Sequence, residues 1–295
     1  MGMQVVILLV STLPIGLLVA VTYLTLVWRK RRSRLPFSFS ATSRIPGYQL
    51  LKQYNDLGFD AVGGFVMVQF LIAYPFIAHY VAEQFGSRTS FLMLSLIISP
   101  AIIYQLVKTC RTLLRRGNIR LGLEAEWYVG HQLNEISELG YRSFHDVQGD
   151  GFNIDHLVVG PNGVFAIETK GRRKPGSEKK ANPLKDNSHQ LSLNGETLVF
   201  PHMTDNSTIP QAIRQAKWCS QWLTQATGQP VKVMPVVALP GWFIKRESKP
   251  IIPILSAKEL PNTIPKLRSE LLSDSAKSQI IHQIKQRISR DSDEL

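Results

Sequence analysis

The sequence predicts a mixed α/β domain preceded by an N-terminal helical membrane region, and three features of its patterning predict it. Long uncharged runs are confined to the front. Short apolar runs of strand length, bounded by turn signals and interleaved with helical periodicities, are confined to the back. The charge is equally lopsided: residues 1–116 hold 12 Lys/Arg and 3 Asp/Glu, a net of +9, against 22 and 19, a net of +3, in residues 117–295. The overall excess of +12 over 295 residues therefore belongs mostly to the front, and overall basicity is no argument for nucleic-acid binding. Cys110 and Cys219 are the only cysteines, and no spacing suggests a disulfide scaffold or a zinc site.

In the membrane region, residues 5–28 carry no charge. At 1.5 Å per residue they make a helix of about 36 Å, long enough to cross a hydrocarbon core of about 30 Å. Arg29, Lys30, Arg31, Arg32 and Arg34 follow at once. A basic cluster after the apolar run is the reverse of a cleaved signal peptide, so the segment reads as an anchor with its basic end in the cytoplasm. Two further apolar runs, 61–81 and 91–107, read as a helical hairpin; Lys108, Arg111, Arg115, Arg116 and Arg120 close the second on the cytoplasmic side. These runs contain Pro75 and Pro100 and the last is short, so a re-entrant or surface-lying hairpin stays open beside two full spans. Either arrangement leaves the rest of the chain inside. Residues 29–60 read as a cytoplasmic linker.

Residues 117–295 then read in order. Leu123, Trp127, Val129, Leu133 and Ile136 fall at helical spacing and predict a helix over 122–139 closed by Gly140. Short apolar or alternating runs at 141–147, 152–159, 164–169 and 196–200 predict strands. Pro210 opens a helix to Ala226, with Gly228 as its stop. Residues 231–239 are a further buried strand, cut by Pro235, and 260–272 and 275–288 read as closing helices.

The chemistry is concentrated at 153–171. Gly160-Pro161-Asn162-Gly163 between two apolar runs is a hairpin signal. With those four residues as the loop, Val159 pairs with Val164 and Asp155 stands opposite Glu168. With a two-residue Asn-Gly loop, Asp155 stands opposite Lys170. In both registers Asp155, Glu168 and Lys170 share a face of the sheet. Two carboxylates and the carbonyl of Thr169 are hard oxygen ligands suited to Mg²⁺ (or Mn²⁺), and an adjacent ammonium suits an attacking water or the charge of a phosphoryl transition state. The competing reading is a salt-bridged strand end.

These motifs resemble the PD-(D/E)xK restriction-endonuclease-like superfamily, and within it the nuclease-related domain (NERD) family. The resemblance covers about residues 120–240: Gly122-Leu123-Glu124-Ala125-Glu126, Ile154-Asp155-His156, Gly160-Pro161-Asn162-Gly163-Val164, Ile167-Glu168-Thr169-Lys170, Pro210-Gln211-Ala212 and the strand at 236–239. It implies a restriction-endonuclease-like mixed sheet flanked by helices. It also implies catalytic residues at Glu126, Asp155, Glu168, Lys170 and Gln211, with a cation at Asp155, Glu168 and Thr169. Thr169 stands where Val is frequent in the family, and a basic loop replaces a short aromatic stretch.

That loop carries Arg172, Arg173, Lys174, Lys179 and Lys180, which suit contact with a nucleic-acid backbone or a solvated loop equally. Trp218 and Trp222, four apart, read as core. His156 faces away from Asp155 on a regular strand. The function expected is a membrane-anchored, Mg²⁺-dependent nuclease acting on DNA before RNA, its partners being DNA and the lipid bilayer; double-strand cleavage would call for a homodimer. The alternatives are a non-catalytic nucleic-acid-binding module and a membrane-anchored interaction module on the same fold.

Overall fold

The computed structural model describes residues 16–18, 20–25, 27–28, 44–86, 90–175 and 189–293. The basic cluster at 29–34, most of the expected first span at 5–28, and Lys179 and Lys180 lie outside the described residues. The chain divides into two compact units: Met1–Phe37 with Gln53–Asn118, and Ser38–Lys52 with Ile119–Leu295.

Among the described residues two helices are long and apolar enough to cross a membrane, α1 (Tyr48–Gln84) and α2 (Phe91–Asn134). Within the first unit their side chains are largely exposed, Phe65, Phe70, Leu92 and Ile97 among them. Pro75 and Pro100 sit inside these helices without ending them. Both helices outrun the apolar runs that predict them, 61–81 and 91–107. The reason is that Lys, Arg, Leu and Glu between 108 and 134 are good helix formers, so nothing stops the helix where hydropathy falls. The expected separate helix over 122–139 is thus the C-terminal part of α2. Arg116, read as a topology-setting charge, donates from Nε to Tyr54 O at 3.2 Å and stacks 3.8 Å from the Tyr54 ring centroid.

In the second unit, α2 ends at Asn134 and a 3-10 turn over Ser137–Leu139 is closed by Gly140 at φ 81°, a left-handed position that glycine occupies without strain. Then come β1 (Arg142–Gln148), β2 (Asn153–Gly160) and β3 (Gly163–Thr169), all antiparallel. The hairpin takes the first of the two registers: His156 pairs with Ile167, Val159 with Val164 and Gly160 with Gly163, so Pro161-Asn162 alone form the turn. Asn162 fixes that turn from outside. Its side-chain amide donates to Ile264 O and Leu267 O, and its Oδ1 accepts from Tyr141 Oη at 2.6 Å.

The chain next forms a small second sheet from β4 (Gln190–Asn194), β5 (Thr197–Phe200) and β6 (Met203–Asp205). It continues through α3 (Thr208–Thr227) into β7 (Val233–Ala238), β8 (Phe243–Arg246) and β9 (Ile254–Leu255). The strand order is β1-β2-β3-β7-β9 in the large sheet and β6-β5-β4-β8 in the small one, with β7 parallel to β3. Only the 196–200 segment of the small sheet was expected from sequence.

Pro235 does not cut its strand. The N–H groups of Val237 and Leu239 point to the β9 side, bonding Pro253 O and Leu255 O, while β9 pairs only with Val237 and Ala238. Pro235 shares their parity, so its missing donor faces a side where no ladder bond is needed. The C-terminal end differs from expectation too. Residues 260–272 form only a turn of helix, α4 (Leu260–Thr263), and a 3-10 turn over Ile264–Lys266, because Pro265 removes the N–H that would continue the helix. The last helix, α5 (Asp274–Asp293), is longer than the expected 275–288.

The core is layered. One face of the large sheet, with Val158, Phe165, Ile167 and Val236, packs on Val129 and Leu133 of α2 and Leu260 of α4. The other, with Leu157, Val159, Val164 and Ala166, packs on Ala216, Cys219 and Leu223 of α3 and Ile280, Ile284 and Ile288 of α5. Burying these side chains is the main force holding the layers, at about 25 cal/mol per Å² of apolar surface. Trp218 and Trp222 stack on each other at 5.7 Å beside this core, with the Arg287 guanidinium over both rings.

Candidate active site

The register of the β2–β3 hairpin sets the site. Asp155 lies one step beyond the His156–Ile167 pair, level with Glu168, and its Oδ2 accepts the Thr169 N–H at 2.7 Å. Lys170 leaves the strand with its own N–H bonded to Ala238 O on β7, which aims its side chain back over the strand end. Its Nζ lies 2.6 Å from Glu168 Oε1 and 3.2 Å from Gln211 Oε1. Gln211, in the first turn of α3, closes the triangle by donating from Nε2 to Glu168 Oε1 at 2.8 Å. The Gln211 amide is half-buried and bridges the acid and the amine.

Glu126 comes in from α2, with 7% of its surface exposed. The Gly47 N–H donates to it, and Gly47 reaches that position through a left-handed φ of 69°. Burial, then the negative charges of Asp146 and Glu168, push the Glu126 carboxyl up to about 8. The same causes act on Asp155. Loss of water, then the charges of Glu168 and Glu126, hold its carboxyl well above the usual range against the opposing pull of the Thr169 N–H and Lys170. Asp155 keeps intermediate exposure as a residue, so the desolvation is that of its carboxyl group. Glu168 is 2% exposed and its Oε2 is buried with no hydrogen-bond partner; the Thr169 hydroxyl is equally unpartnered.

Glu126, Asp155 and Glu168 thus act on one another electrostatically beside Lys170, and Asp146, unforeseen in the sequence, acts on Glu126. Asp146 adopts φ 54°, the one described non-glycine residue in the left-handed region. Its carboxylate accepts from Gln49 N at 2.9 Å and Asn153 Nδ2 at 2.7 Å, while buried Arg44 donates to its carbonyl at 3.0 Å. Residues 44–52, read from sequence as linker, are therefore part of the second unit and brace its acidic cluster. An acid inside the apolar run 144–147 was the only signal that pointed to Asp146.

The donor set fits a hard divalent cation. An orphaned buried carboxylate oxygen and like charges that raise each other's proton affinity are conditions a cation relieves. Among the described residues no group of three or more His, Cys, Asp or Glu side chains is gathered as a metal cage. Two carboxylates with a backbone carbonyl are what the strand ends offer, and Mg²⁺ commonly takes so few protein ligands and keeps its waters.

The basic segment behaves unevenly. Arg172 is engaged: its guanidinium lies 2.6 Å from Asp205 Oδ2, and its Nε is buried without a partner. Arg173 and Lys174 are exposed, with Lys174 Nζ 6.0 Å from the Trp242 ring centroid. His156 does turn from Asp155, its Nδ1 lying 2.8 Å from Nδ1 of His145 on the neighbouring strand. Burial holds both imidazoles below their usual range, His145 at about 4.

A helix carrying Glu126, three antiparallel strands carrying Asp155 and the Glu168-Thr169-Lys170 segment, a helix carrying Gln211 and a parallel strand make up this part of the chain. Residues 121–240 match the family model of the nuclease-related domain, NERD. No curated protein and no solved structure matches the chain.

Proposed function

We propose that the chain is a Mg²⁺-dependent (or Mn²⁺-dependent) nuclease with a restriction-endonuclease-like fold. It hydrolyses phosphodiester bonds of DNA and is held by membrane-spanning helices with its catalytic domain in the cytoplasm. The observation that carries the reading is the convergence of Glu126, Asp155, Glu168, Lys170 and Gln211 at one sheet end, with Glu168 Oε2 unsatisfied. The succession of a helix, β1 to β3, α3 and β7, with the small-sheet strands β4 to β6 inserted before α3, supports the fold. The two long apolar helices and the basic residues beside them support the anchoring.

Asp155, Glu168 and the Thr169 carbonyl would hold the cation, which when bound neutralises phosphate charge and lowers the pKa of a water. Lys170, steered by Glu168 and Gln211, orients that water and offsets the negative charge that builds on the phosphoryl oxygens. Water adds to phosphorus, one ester P–O bond breaks, and the leaving oxygen takes a proton. Without a cation Glu126 keeps its proton near neutral pH, and it is the group beside the cluster placed to pass a proton through a water.

The purified full chain in detergent, given plasmid and linear DNA, is expected to cleave with Mg²⁺ or Mn²⁺ and not with EDTA. Asp155→Asn and Lys170→Ala should each lower the rate by roughly 10²-fold or more. Unchanged rates in both variants would overturn the site. Salt-sensitive DNA binding without cleavage under any divalent ion would select the non-catalytic module.

A further inference from the structure

Beside the carboxylate cluster the second unit carries a groove of about 830 Å³. Gly171, the residue after Lys170, and Ala125, the neighbour of Glu126, line it side by side: a Cβ on Gly171 would lie 2.9 Å from that of Ala125. The groove therefore begins one residue from Lys170 and one from Glu126. Trp242 forms part of the lining, almost wholly buried, while Phe243 and Tyr128 line it with 60% and 37% of their surface exposed. Phe243 points away from the core that the next residue of its strand, Ile244, enters.

The charges are one-sided as well. The groove's two acids, Glu124 and Glu259, are paired with Arg120 at 2.7 Å and Arg246 at 3.5 Å. Among the described residues, Lys174 and Lys258 line the groove without an acidic partner. Exposed rings flanked by unpaired ammonium groups suit a ligand that alternates π-faces and anions. The volume falls in the range of about 300–1,000 Å³ that accommodates small organic ligands, room for a few nucleotides.

We infer that this groove binds an unpaired stretch of the nucleic-acid strand leading to the carboxylate cluster, with bases stacked on Phe243 and Tyr128 and phosphates held by Lys174 and Lys258. The inference rests on the nuclease reading above and adds to it a substrate class, nucleic acid with a single-stranded segment.

Binding of a labelled oligothymidylate and of a blunt duplex to the full chain in detergent, in EDTA, tests it. Phe243→Ala is expected to weaken single-strand binding about tenfold and duplex binding less than twofold, with Phe243→Tyr restoring it. Lys174→Ala with Lys258→Ala should flatten the slope of log affinity against log salt by about 1.4. All these side chains are exposed, so unchanged thermal unfolding serves as the folding control. Unaltered single-strand affinity in Phe243→Ala, or equal losses for both ligands, overturns the inference. Phe243-dependent strand binding without cleavage in Mg²⁺ would leave the groove standing and remove the hydrolase; cleavage with Phe243-independent binding would do the reverse.

Discussion

Asp205 and Asp155 are acids of the same domain, and the protein treats them in opposite ways. Asp205 has a side chain only 2% exposed and accepts five hydrogen bonds, from Ser207 N and Oγ, Thr208 N and Oγ1, and Arg172. Burial alone would push its carboxyl up, but those donors outweigh it and hold the group well below the usual range. Asp155 accepts the Thr169 N–H and faces two further acids, and its carboxyl is held high. The basic residues that follow β3 alternate between the two: Lys170 serves the strained cluster and Arg172 the satisfied one. A fully partnered carboxylate is a structural joint. A crowded, under-partnered one is a standing cost to the fold that binding a cation would relieve.

The sharpest way to break this contrast is to cut the joint. Asp205→Ala leaves the Arg172 guanidinium without its partner and strips the entry of α3 of its acceptor, so a loss of about 3–5 kcal/mol in unfolding free energy is expected. Because the Asp205 pKa is lowered on folding, its stabilising effect is present above the unfolded value and fades as pH falls through the folded one. A loss under about 1 kcal/mol in chemical denaturation would show the joint to be incidental.

Mg²⁺ should act on the other cluster alone. Thermal unfolding is expected to shift upward by the equivalent of about 2.7 kcal/mol at a hundredfold excess over Kd, more at pH 8 than at pH 5.5 because protons compete for the same oxygens. Identical curves in Mg²⁺ and EDTA at pH 8 would refute the cation site. The smallest effect is the most diagnostic. Glu126 binds its proton up to about pH 8 when folded but only to about 4.5 when unfolded, so the native state holds more protons across that window and stability falls as pH rises through it. Glu126→Gln should abolish that slope and stabilise the chain at pH 7.5 by on the order of 2 kcal/mol. Destabilisation instead would place Glu126 with Asp205 among the joints.

Sequence carried the reading of the hairpin because the turn residues and the alternating apolar pattern fix parity, and parity decides which side chains meet. Asp155, Glu168 and Lys170 converge for that local reason. Glu126 and Gln211 needed the family pattern, since nothing local says which helix face meets the strand ends. Asp146, Arg44 and Gly47 were not legible: their contacts join residues about 80 to 100 positions apart, and a short stretch ahead of an apolar helix reads as linker. The run of α2 through 108–134 was missed for a different reason. Hydropathy changes sharply there, but backbone helicity does not depend on hydropathy. The small sheet escaped because strands of three to five residues carry too few alternations to stand out.

The clasp on the β2–β3 turn bears on where this domain can be excised. The family match ends at 240, yet the turn that sets the register is held by carbonyls of Ile264 and Leu267, and backbone amides of Ser269 and Leu272 bond to Asn162 O and Pro161 O. At the other border, Arg44 and Gly47 lie some 75 residues before the match begins. A transplant of 121–240 would carry every acid of the cluster except the groups that keep them in place, so the self-sufficient piece is larger than the recognisable one.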